Sequence, residues 1–196
     1  MPTTIEEIES HLKSLDLNVL TPNDAEAKAR ERGLSYAMDP YKNPDGEPTA
    51  FVQVLLMDDG TYVEFNALAA YNVRDCKHKG AVFAALLEIN YKTKRLSFGY
   101  DPADGKICVT GDLTVADGAL TPQQLQGELS AVLWSLEHFY PVIRHAMETG
   151  KVDLSLATDR TPSPTEGDAE VSKLIESLGG IEGLRRLVRD KSDPKA

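Results

Sequence analysis

The run AVFAALLEIN at residues 81–90 constrains this chain more than any other stretch. Val82, Phe83, Leu86, Leu87 and Ile89 leave a helix almost no polar side, so the helix expected between about Lys77 and Tyr91 needs cover on both faces. One sheet covers one face. The remaining face is expected to meet a second copy of the chain or a protein partner, with Val82, Phe83, Leu86 and Leu87 as the interface residues.

The segments around this helix read as alternating strands and amphipathic helices. Thr3 and Glu6 have capping-box spacing, and Ile5, Ile8, Leu12 and Leu15 recur at helical intervals, which predicts a short first helix. A second, surface helix is expected over NDAEAKARER, opened by Thr21-Pro22 and stopped by Gly33. From Leu34 the period becomes two, with Leu34, Tyr36 and Met38 on one side. After the turn-rich PYKNPDGEP, a β-rich run at 50–57 and the alternating TYVEFNA form a hairpin around Asp58-Asp59-Gly60. Val63 and Phe65 should point inward there, with Tyr62, Glu64 and Asn66 outward. A second hairpin places Leu96, Phe98 and Tyr100 before a DPADG turn and Ile107, Val109 and Leu113 after it. Thr121-Pro122-Gln123-Gln124 then opens a long helix with an apolar stripe from Leu125 to Met147. Pro141 removes a backbone donor within it and is expected to bend or break it; Gly150 ends it.

The expected organisation is a helical lead at 1–33, an α+β domain at 34–150, a Pro/Ser/Thr-rich linker at 151–170 and a short helical tail at 171–196. Ile181, Leu184 and Val188 give the tail a small apolar face, flanked by Arg185, Arg186 and Arg189. A helix this short orders in water only by docking, so these three residues either contact the domain, a second subunit or a partner, or belong to a solvated, fraying terminus.

Charge and composition narrow the function. The net charge is -10, which disfavours a phosphate backbone as partner. No run approaches the roughly 18 apolar residues of a spanning helix. The N-terminal MPTTIEEIES lacks the basic start of a secretory signal, which predicts a cytoplasmic protein without a membrane partner. Two cysteines do not make a disulfide framework.

Catalytic signatures are missing from the sequence. There is no GxxxxGK[ST] or GxGxxG to cradle phosphates, and no GxSxG or HExxH. Cys76 and His78 could ligate a zinc ion if Cys108 and a carboxylate joined them; the plainer reading makes Cys76 a loop filler and Cys108 a small apolar residue on a strand. The turns DDGTY, NPDGE and DPADG lack the alternating ligands of a calcium loop and read as hairpin turns. The expectation is no enzyme, no cofactor and no metal.

The stretch ALLEINYKTKRLSFGYDPADGKICVTGDL resembles the YbjN domain family and the type III secretion chaperone-like superfamily. The matching features are Asn90 at the helix end, the aromatic Phe98, the Asp104-Gly105 turn and Asp112-Leu113 at a strand end. The long helix with Tyr140-Pro141 near its end resembles the family's last helix, so the likeness spans roughly residues 34 to 148. It implies an antiparallel sheet of about five strands packed against helices, a chaperone-like α+β sandwich. It also implies a homodimer that binds a protein or peptide segment. A regulatory domain in signalling or stress response, sensing a small ligand, and an enzyme of unrecognised type remain the alternatives.

Overall fold

The computed structural model describes residues 2–38, 40–115 and 118–158. The fold is α+β. Its helices are α1 (Ile5–Ser14), α2 (Ala25–Lys28), α3 (Lys79–Lys92) and α4 (Pro122–Thr149). Its strands are β1 (Val19–Leu20), β2 (Glu31–Ala37), β3 (Thr49–Met57), β4 (Tyr62–Asn72), β5 (Leu96–Asp101) and β6 (Lys106–Thr114). All strand pairs are antiparallel, in the order β1-β2-β3-β4-β6-β5. The sheet thus has six strands rather than about five, because the two-residue β1 joins its edge.

The period-two pattern sets which face is covered. Val52, Val54, Val63, Phe65, Ile107 and Val109 are fully buried, while their neighbours along each strand are not. Against this inner face lie Ile5, Ile8 and Leu12 of α1, Val82, Ala85, Leu86 and Ile89 of α3, and the inner stripe of α4. The outer face carries no helix among the described residues.

Three local readings are corrected by tertiary contacts. The capping box of α1 is Thr4 and Glu7, not Thr3 and Glu6. Thr3 is instead buried, and its N–H donates to the Gly60 carbonyl at 3.1 Å, tying the chain start to the β3–β4 turn. The helix expected over NDAEAKARER shrinks to the single turn of α2, and Gly33 lies inside β2 rather than at a helix stop. The cause is Arg32, only 3% exposed. Its Nε donates to Glu9 at 2.6 Å and its Nη1 to the carbonyls of Lys28 and Glu31, both at 2.7 Å. Those bonds hold 31–33 extended against helix propensity.

Pro141 does not interrupt α4, which runs unbroken from Pro122 to Thr149. The carbonyl it orphans, that of Glu137, accepts from Thr158 Oγ1 at 3.4 Å, and the Thr158 N–H donates to the next carbonyl, His138 O, at 3.1 Å. Within the expected linker, residues 154–156 form a 3-10 turn packed against α4. Gly150, at φ 73°, closes the helix in the left-handed conformation that glycine favours.

Candidate functional site

The bare outer face of the sheet is assembled by cross-strand register. Phe51 is 41% exposed, and Leu68, which follows Ala67, the partner of Val52, lies beside it at 44%. Leu20 of β1, 43% exposed, is paired with Gly33. A Cβ at position 33 would come within 2.7 Å of the Phe51 ring, so glycine is what lets that ring rest over β2 next to Leu20. Leu20, Phe51 and Leu68 therefore form an apolar patch with no helix above it among the described residues.

Four residues further along β3, about 13 Å at the usual strand rise, lies a row of different chemistry. Register aligns Glu31 with Leu55, Leu55 with Glu64, and Glu64 with Asp112. Glu64 and Asp112 face each other directly, a like-charge pairing that destabilises a sheet. None of these three carboxylates forms an ion pair among the described residues. Burial, and then Asp112 and Glu64, push the neighbouring Tyr62 hydroxyl above its ordinary range. Between the patch and this row lie Gln53, Asn66 and Thr110, and Asn66 Oδ1 is buried without a donor among the described residues.

The free edge of this sheet at β5 is closed by side chains of α3 and the turn after it. The Asn90 carboxamide donates to Phe98 O at 3.0 Å and accepts from Phe98 N at 2.8 Å, doing what an added strand would do. Thr93 Oγ1 donates to Leu96 O at 3.2 Å.

The residues expected at an interface do not form one surface. Val82 and Leu86 lie in the chain's own core, at 0% and 5% exposure. Phe83 packs on Tyr100 with ring centroids 4.8 Å apart. Leu87 alone points out, 71% exposed, in a stripe with Ala84, Glu88 and the 91% exposed Tyr91. The opposite side of α3 is thus uncovered among the described residues. Ile181, Leu184 and Val188 lie outside the described residues.

Cys76 and His78 line one cleft of about 500 Å³ with Lys77, Arg144 and Glu148, where Cys76 Sγ donates to Met147 O at 3.7 Å. Cys108 sits apart on β6, donating to Gly99 O, with its thiol pushed up by burial. Among the described residues no three His, Cys, Asp or Glu side chains converge as a metal-binding group. No described helix is long and apolar enough to cross a membrane.

Sequence reasoning missed Leu20, Phe51 and Leu68. The run AFVQVLLM is apolar on both parities, so its alternation alone does not say which side is solvent.

No family model matches the chain, and no curated protein matches it. Solved structures do. YbjN from E. coli, described as a candidate transcription regulator, aligns with a TM-score of 0.53 and 17% identity over 68% of this chain and 86% of its own. A chain of the ExsC–ExsE complex aligns with a TM-score of 0.50 and 19% identity over 73% of this chain and 97% of its own. At these identities the likeness establishes a shared fold, the one expected from the 85–113 stretch.

Proposed function

We propose that this chain is a non-catalytic, chaperone-like binding module that holds a segment of a protein partner on the uncovered face of its sheet. The observation that carries the reading is the patch of Leu20, Phe51 and Leu68, large apolar side chains gathered where no helix among the described residues covers them. Such gathered exposure marks interaction surfaces, whereas single exposed apolar residues do not. ExsC–ExsE is itself a complex of two proteins, which supports protein binding as a use of this fold. The reading gives no side chain a catalytic, cofactor or metal role. Two free cysteines suit a reducing cytoplasm.

The exposed stripe of α3, with Leu87 and Tyr91, is proposed as the contact between two copies. Sedimentation should show a dimer that Leu87→Asp converts to a folded monomer. A wild-type mass of one chain at micromolar concentration overturns the dimer.

The binding test uses an array of unfolded client peptides. Wild type should retain a subset of them, and Phe51→Ser with Leu68→Ser should lose that subset while its melting temperature holds. Equal retention by both proteins removes this face as the site.

A further inference from the structure

We infer that the segment held on this face is cationic and amphipathic, its apolar side seated on Leu20, Phe51 and Leu68 and its Lys or Arg side chains on Glu64 and Asp112. The inference rests on the binding reading above and names the chemistry of the occupant. The apolar patch alone would accept any greasy segment. The carboxylate row, about 13 Å away along the strands, selects among them.

Glu64 and Asp112 are held opposite each other by the β4–β6 register, a like-charge pair that an incoming cation would bridge favourably. Among the described residues no cation forms an ion pair with either of them. Lys106, on the same face of β6, pairs with Asp104 at 3.1 Å. Lys94 and Arg95 share a cleft with Asp112, but Arg95 is turned to Glu128 and Lys94 forms no ion pair among the described residues. Glu31, Glu64 and Asp112 on this stretch of the face are acceptors, outnumbering the one nearby cation without an ion pair, Lys94, and lysine and arginine bring only donors. The acidic balance of the whole chain, -10, adds a long-range field of the same sign that steers a basic segment inward.

The test uses the full-length chain and three labelled helical peptides that share one leucine stripe and differ only in flanking residues: lysine, serine or glutamate. Fluorescence anisotropy at low salt should show the lysine peptide binding about tenfold more tightly than the serine peptide, as a few exposed pairs allow, with the glutamate peptide weakest. The gap should close in Glu64→Gln with Asp112→Asn, whose fold is checked by circular dichroism, and in high salt. If all three peptides bind equally and Phe51→Ser abolishes binding, the face is a docking site but not one for cations, and this inference falls. If none binds, or Phe51→Ser changes nothing, the binding reading falls and takes the inference with it. If binding appears only when Arg185, Arg186 and Arg189 are replaced by serine, the occupant is the chain's own C-terminal segment and the partner assignment is overturned.

Discussion

Thr158 supplies the donor that Pro141 takes away from α4. Proline has no N–H to offer the Glu137 carbonyl four residues back. Thr158 reaches that oxygen with its hydroxyl at 3.4 Å and the His138 oxygen with its backbone N–H at 3.1 Å. The Thr158 carbonyl is met in turn by His138 Nδ1, and the His138 ring stacks on Trp134 with centroids 4.4 Å apart. A segment after the helix is thereby fixed to its middle.

Thr158→Val removes the hydroxyl but keeps the shape, and should cost about 1 kcal/mol, the net value of one hydrogen bond. In a Pro141→Ala background the helix regains its own donor, so the same change should cost less. Urea unfolding of the four proteins in a double-mutant cycle measures the coupling. Strict additivity would show that the two residues do not compensate each other.

Glu128 is 2% exposed on the inner side of α4, bonded through one oxygen to Arg95 while Oε2 has no partner among the described residues. Arg95→Met should therefore destabilise by about 2 kcal/mol, because it strands a buried carboxylate. Glu128→Met, which removes the charge itself, should stay within about 1 kcal/mol of wild type or exceed it. Chemical denaturation decides; a costlier Glu128→Met would mean the pair contributes net stability.

The Lys13 ammonium and then the Arg32 guanidinium hold the Glu9 carboxyl below the usual carboxylate range. A depressed folded value means that this stability is fully present above the unfolded value, about 4.3, and is lost as pH falls through the lower folded value. Urea midpoints measured from neutral pH down to pH 3 should fall more steeply in wild type than in Glu9→Gln. Parallel curves would show that Glu9 carries no acid sensitivity.

Ala69 adopts φ 51° within β4, at the point where the register with β6 slips between Ala67 and Tyr71. A side chain in that left-handed region costs more than glycine's extra unfolded freedom returns. Ala69→Gly should therefore stabilise by about 0.5 kcal/mol, read as a higher urea midpoint. A loss of stability would mean that the Ala69 methyl is needed for packing.

The sequence by itself determined the elements and most of the core. Helical spacing marked α1 and α4, alternation marked Val63 and Phe65 as inward, and Asp-Gly turns marked the hairpins, since these signals depend on neighbours a few residues apart. Tertiary structure decided what no local period encodes. It set Arg32 and Gly33 into a strand by joining Arg32 to Glu9 across 23 positions. It carried the helix through Pro141 by bringing up Thr158, and it split the four apolar residues of α3 between core and solvent. It also left one face of the sheet without a helix among the described residues, because whether Phe51 or Val52 meets water depends on which side the helices pack. That choice is made by burial summed over the whole chain, and the candidate site was legible only after it was made.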